Sequence, residues 1–156
     1  MPSANVLFRR ARIKDVNDIT ELINHYAKLG DMLSRSHMQV YSQLRDYYVA
    51  VDGDRVVGCG ALNIIWDNLA EVRSLAIAPD YVGQGLGREI VNRLLADAAD
   101  LALPQVFTLT YKPVFFEKVG FTRVDKKELP HKVWKDCIHC PKFPDCDEVA
   151  LVKNIP

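Results

Sequence analysis

The sequence has no charge imbalance, no long apolar run and few cysteines. Its 20 Lys and Arg balance 20 Asp and Glu, for a formal net charge of +0. Nucleic-acid binders carry a basic excess or a basic stripe, and neither is present, so no nucleic-acid partner is expected. No apolar stretch approaches the roughly 18 residues of a membrane-spanning helix. The N-terminus, Met1-Pro2-Ser3-Ala4-Asn5, shows no basic region followed by an apolar one. It does not read as a signal peptide, so a cytoplasmic location without a membrane partner is expected. Internal repeats and low-complexity segments are also lacking. What is present is ordinary for a globular chain: 156 residues, 49% hydrophobic and 26% charged. One domain spanning 1–156 is expected, burying about two-thirds of its unfolded surface.

Periodicity divides the chain into short elements. Val6 to Arg12 alternates as a strand. Asp15 reads as a helix N-cap, and Val16, Ile19, Leu22, Ile23 and Tyr26 recur at helical spacing up to Gly30. A shorter helix is expected from Ser36 to about Arg45. Tyr47–Val51 and Arg55–Trp66 form a hairpin about Asp52-Gly53-Asp54, where glycine supplies the positive φ of a tight turn. Leu69–Ala78 is the next strand, stopped by Pro79. Leu86, Ile90, Val91, Leu94, Leu95 and Ala98 mark one face of a long helix ending near Leu103-Pro104. Gln105–Thr110 reads as a strand, Lys112–Val119 as a helix closed by Gly120, and Phe121–Asp125 and Glu148–Lys153 as further strands. The expected class is α+β: a mixed, mostly antiparallel sheet flanked by helices, with one helical crossover.

The most informative segment is Leu75-Ala76-Ile77-Ala78-Pro79-Asp80-Tyr81-Val82-Gly83-Gln84-Gly85-Leu86-Gly87-Arg88. It runs strand, turn, three alternating glycines, helix. Such glycines let the backbone turn tightly and approach a ligand closely. The helix start adds unpaired N–H groups and the positive end of the dipole, a combination suited to a pyrophosphate. A plain glycine-rich turn is the simpler reading. The spacing does not match the Gly-x-Gly-x-x-Gly of dinucleotide folds, and Arg88-Glu89 follows where a Walker A loop needs Lys-Ser/Thr.

Here the sequence resembles the GCN5-related N-acetyltransferase (GNAT) family, whose acetyl-CoA motif is Arg/Gln-x-x-Gly-x-Gly/Ala. Val82-Gly83-Gln84-Gly85-Leu86-Gly87 fits except at Val82. Phe115-Phe116-Glu117-Lys118-Val119-Gly120-Phe121 is similar to the family's Phe-Tyr-Glu-Lys-x-Gly-Phe. The resemblance implies a GNAT fold with acetyl-CoA as co-substrate. Its pyrophosphate would lie on Val82 to Arg88 and its pantetheine arm along Leu75, Ala76 and Ile77. Members of the fold often pair through strand edges or helices, which keeps a homodimer open.

Acetyl transfer to an amine needs a base, an oxyanion donor and a proton for the leaving thiolate. Glu71, on the strand assigned to the cofactor, is the candidate base; a solvated strand carboxylate is the alternative. A main-chain N–H near Ala76 or Ile77 would meet the oxyanion. The family's usual acid is a tyrosine where this chain has Phe116, which has no hydroxyl. Thr110 is the favoured substitute, ahead of Tyr111.

Further segments resemble the acetyltransferase domain of N-acetylglutamate synthases, which act in arginine biosynthesis: Gly30 to Ser36, Val57 to Leu62, Ala70 to Ile77, and Leu129-Pro130 before a basic segment. The resemblance implies L-glutamate as the acceptor amine, its carboxylates held by Arg35 and a second cation after Leu129-Pro130, where Lys132 and Lys135 are the nearest; Arg73 is a further substrate-binding candidate. Arginine's planar fork suits a carboxylate; ordinary surface arginines are the alternative. Cys59 stands alone, while Cys137, Cys140 and Cys146 cluster in a loop at about 131–147. They could serve structural zinc or be buried thiols beside the substrate mouth, and the fold requires no metal. Another small amine as acceptor, or a non-catalytic acyl-CoA-binding regulatory module, are the competing functions.

Overall fold

The computed structural model describes residues 5–130 and 148–156. The elements, in chain order, are β1 (Val6–Arg10), α1 (Val16–Lys28), α2 (His37–Ser42), β2 (Tyr47–Asp52), β3 (Arg55–Trp66), β4 (Leu69–Ile77), α3 (Leu86–Asp100), β5 (Gln105–Thr110), α4 (Pro113–Lys118), β6 (Thr122–Val124) and β7 (Val149–Asn154). The strands form one seven-stranded sheet in the order β1-β2-β3-β4-β5-β7-β6. Neighbours run antiparallel except β4 and β5, which α3 joins as a crossover.

Helices α1 and α3 seat on the sheet through the apolar faces their spacing anticipates. Val16, Ile19, Leu22 and Ile23 of α1 are buried, as are Leu86, Ile90, Val91, Leu94 and Ala98 of α3. Gly58 and Gly60 on β3 let α3 come close. A Cβ on Gly60 would lie 2.8 Å from Ile90 Cγ2, and one on Gly58 3.2 Å from Ile90 Cδ1.

Several boundaries differ from the sequence expectation for local reasons. Asp15 makes no side-chain cap on α1. It closes a preceding 3-10 turn instead, accepting the Arg12 N–H at 2.7 Å and both guanidinium nitrogens of Arg9 at 2.7 and 3.0 Å. Ser36 does cap α2, in a reciprocal capping box with Gln39, but that helix stops at Ser42 and a 3-10 turn covers Leu44–Asp46. β1 ends at Arg10 and β4 at Ile77, after which Pro79–Tyr81 form a 3-10 turn.

Candidate active site

β4 and β5 pair only at their entrances, Ala70 with Val106 and Glu71 with Phe107. Beyond that point the strands part. Thr108 sits at the fork, where its buried hydroxyl donates to the Val72 carbonyl at 2.9 Å. The gap opens into a cavity of about 460 Å³, a size typical of small-molecule sites.

A bulge turns β4 just inside the gap. Cys59 pairs with Ala76 and Ala61 with Arg73, so Gly60 faces both Ser74 and Leu75. Ser74 adopts φ 57°, a left-handed value unusual for a side-chain-bearing residue. Buried partners hold it there. The Cys59 thiol donates to the Ser74 carbonyl at 3.4 Å, and Tyr47 hydrogen-bonds the Ser74 side chain. Burial pushes the Cys59 thiol up to about 12, so it stays protonated as a donor. Burial likewise raises the Tyr47 phenol, against the Ser74 bond and the nearby charges of Arg35 and Arg73.

On the other side lies the glycine loop. Gly83 and Gly85 take φ values of 87° and 83°. Gly85 is the N-cap of α3 and supplies no side-chain cap, so the first N–H groups of that helix are left for a ligand. The turn before the loop is tied to the β2–β3 hairpin. Arg55 donates twice to Asp80, at 2.9 and 3.1 Å, and the Tyr81 hydroxyl donates to Asp52. Gly87 leaves little room for a side chain, since a Cβ there would meet the Phe115 ring at 3.3 Å.

A left-handed glycine loop, an uncapped helix start and an unpaired strand edge fit a pyrophosphate followed by an amide-bearing arm. A family model described as an acetyltransferase (GNAT) domain matches residues 43–123. The chain belongs to the GNAT acetyltransferase family. An amino-acid acetyltransferase of Mycobacterium tuberculosis is 39% identical over 132 residues, covering 82% of this chain and 75% of that protein. A crystal structure from the same organism, containing CoA and NLQ, matches with TM-score 0.81 and 32% identity over 96% of this chain and 99% of that one. The N-acetylglutamate synthase of Neisseria gonorrhoeae, crystallised with coenzyme A and N-acetyl-glutamate, matches with TM-score 0.87 and 22% identity. That match covers 99% of this chain and 36% of the synthase, and it is a likeness of fold. The protein is an acetyl-CoA-dependent N-acetyltransferase related to amino-acid acetyltransferases.

This GNAT chain brings most of the sequence candidates into one place. Glu71, Arg35, Arg73, Thr110, Leu75, Ala76, Ile77, Val82, Gly83, Gly85, Leu86, Gly87 and Arg88 all line the cavity. Gln84 is not among the lining residues. The surface reading of the two arginines does not hold, because Arg35 and Arg73 are each only 8% exposed. Arg73 donates to Gln43 Oε1 at 2.9 Å and lies 3.9 Å from Glu71 Oε1. Glu71 is correspondingly far from a freely solvated carboxylate, its side chain being 16% exposed. The Thr110 hydroxyl accepts the Lys112 N–H at 2.9 Å, which leaves its own proton to donate elsewhere. Phe116 is buried edge-on between Phe115 and Phe121, a packing role. Lys132, Lys135 and the cysteines at 137, 140 and 146 lie outside the described residues.

Sequence reasoning missed Tyr26, Ser74 and Thr108 as cavity residues. Tyr26 falls on the apolar stripe of α1 and reads as packing. Ser74 and Thr108 acquire their roles from a bulge and a fork, both products of strand pairing.

Proposed function

We propose that this enzyme transfers the acetyl group of acetyl-CoA to the α-amine of L-glutamate, a reaction of arginine biosynthesis. The observation that carries the reading is the pair Arg35 and Arg73. Both are buried, both face the cavity, and Glu71 stands beside Arg73. Each planar guanidinium fork suits a carboxylate, and a dicarboxylate amino acid offers one to each arginine.

In this reading the loop from Val82 to Arg88 holds the pyrophosphate with main-chain N–H groups. Leu75, Ala76 and Ile77 hold the arm, and a main-chain N–H of this stretch meets the oxyanion. Glu71 removes one ammonium proton, directly or through a water, which frees the lone pair that forms the nitrogen–carbon bond. Thr110 passes a proton to the leaving thiolate and regains one from the attacking nitrogen, which sheds its second proton as the carbon–sulfur bond breaks. Bound acetyl-CoA supplies an activated acyl carbon; the chain orients it and moves the protons.

The test follows free thiol release from acetyl-CoA with L-glutamate and a panel of other amino acids and amines. Glutamate should be the preferred acceptor, and Glu71→Gln should lower kcat by about 100-fold with little change in CoA affinity. Preferred release with a different amine would end the glutamate assignment. An unchanged kcat in Glu71→Gln would remove Glu71 as the base.

A further inference from the structure

Helix α1 holds two cavity-lining residues, Arg35 and Ile77, through polar side chains that the reaction above does not use. Asn24 is half-buried. Its amide donates to the Arg35 carbonyl at 2.9 Å, and its oxygen accepts the Arg35 N–H at 3.0 Å. Both main-chain polar groups of Arg35 are therefore fixed to α1. The turn between them is tied to the same helix end, with Gly30 N–H on the Ala27 carbonyl at 3.0 Å and Asp31 N–H on the Tyr26 carbonyl at 3.1 Å.

Two positions along, roughly 200° around the helix, the Tyr26 hydroxyl donates to the Ile77 carbonyl. Ile77 is the last residue of β4. The next residue, Ala78, gives its N–H to the Val57 carbonyl on β3 at 2.8 Å. By antiparallel alternation the polar groups of Ile77 then face the opened edge. Tyr26 takes the carbonyl there and leaves the N–H to the cofactor side. The helix has an apolar seat besides these bonds, through Val16, Ile19, Leu22 and Ile23.

We infer that the C-terminal half of α1 is a bracket that sets the spacing between the two substrates, with Asn24 positioning Arg35 and Tyr26 positioning Ile77. The Asn24 half rests on the reading of Arg35 as a carboxylate clamp; the Tyr26 half does not. Spacing matters because a misplacement of about 1 Å can cost about 100-fold in rate.

The experiment measures steady-state kinetics with acetyl-CoA and L-glutamate, together with thermal melting, for Asn24→Ala, Asn24→Asp, Tyr26→Phe and Arg35→Ala. Loss of the paired bonds in Asn24→Ala should raise the glutamate KM about tenfold and leave the acetyl-CoA KM unchanged. Asn24→Asp keeps an acceptor for the Arg35 N–H but sets an oxygen against its carbonyl, and it should move the glutamate KM in the same direction. Tyr26→Phe keeps the ring and should raise the acetyl-CoA KM about fivefold, with the glutamate KM unchanged. If both KM values rise together in either variant, or neither moves, the bracket is overturned. If Asn24→Ala does not fold, Asn24→Asp decides by the same criterion. An Arg35→Ala with normal glutamate KM sinks the carboxylate clamp and the Asn24 half with it, while the Tyr26 half is still judged from the acetyl-CoA KM.

Discussion

Gly58 and Gly60 offer the same substitution at two neighbouring positions of β3 under α3, and the structure assigns them unequal costs. In Gly60→Ala the new Cβ would lie 2.8 Å from Ile90 Cγ2, 3.2 Å from Leu75 Cδ1 and 3.5 Å from Leu94 Cδ1. Ile90 is fully buried on α3, where a β-branched side chain has essentially one χ1 rotamer. Its Cγ2 cannot swing away, so the helix or the strand must shift. Overpacking of this kind costs about 1–3 kcal/mol, and the upper half of that range applies here. In Gly58→Ala the nearest atoms are the terminal methyls Ile77 Cδ1 at 2.9 Å and Ile90 Cδ1 at 3.2 Å, which rotate more freely. Both substitutions gain about 0.4–1 kcal/mol from a less flexible unfolded chain. The net expectation is a loss of about 2 kcal/mol at Gly60 and close to zero at Gly58. At about 2–4 °C per kcal/mol for a chain of this size, Gly60→Ala should melt about 4–8 °C lower and Gly58→Ala nearly unchanged. Because Leu75 belongs to the opened edge of β4, Gly60→Ala should also raise the acetyl-CoA KM. Differential scanning calorimetry on both variants decides the matter. Equal melting temperatures, or Gly58→Ala the worse of the two, would refute the reasoning that the rigid Ile90 Cγ2 makes Gly60 the tighter approach of α3 to β3.

Two further predictions concern the ion pair under β1 and the glycine loop. Burial works to raise the Asp15 carboxyl, but the Arg9 fork and the Arg12 N–H outweigh it and hold the group below its ordinary value. A depressed carboxylate stabilises the fold above its unfolded pKa and loses that contribution as pH falls through the folded value. Asp15→Asn, which removes the charge from these hydrogen bonds, should cost about 1–2 kcal/mol at pH 7. The gap to the parent should narrow in melts below about pH 4, and a gap independent of pH would contradict the assignment. Gly85→Ala forces a side chain into φ 83° and should cost about 1 kcal/mol of stability and weaken CoA binding by calorimetry. Gly53→Ala, at φ 62° in the β2–β3 turn with nothing near its Cβ, should lose similar stability and keep its CoA affinity.

Much of the fold could be read from periodicity, because both long helices carry uninterrupted apolar faces and the hairpins carry their turns. The cofactor side was equally legible, since Gly83, Gly85 and Gly87 announce a local backbone geometry within one short segment. The acceptor side was not. Arg35 and Arg73 read as plausible surface residues until strand register and the α1 contact buried them. Asp15 does occupy the N-cap position of α1, but its carboxylate serves Arg9 on the adjacent strand and the Arg12 N–H instead of the helix, which its position alone does not reveal. Ser74 gave no signal at all, since nothing in a single strand reveals that Gly60 will face two residues of its neighbour.

The same distinction explains why the cleft lies where it does. β5 pairs with β7 along its whole length, from Gln105–Asn154 to Thr110–Val149. β4 pairs with β3 along nearly all of its own, from Leu69–Trp66 to Ile77–Gly58. Each strand thus takes its direction from its antiparallel partner, and the two directions agree for only two residue pairs. The sheet is in effect two half-sheets joined at Ala70 and Glu71. Backbone groups on the free edge of β4, beyond Thr108 and short of Tyr26, keep their hydrogen-bonding capacity for something other than β5. A ligand carrying amides along an extended arm satisfies that edge as a strand would. Glu71 stands at the last paired position, so the candidate base is held by the sheet at the point where the sheet stops.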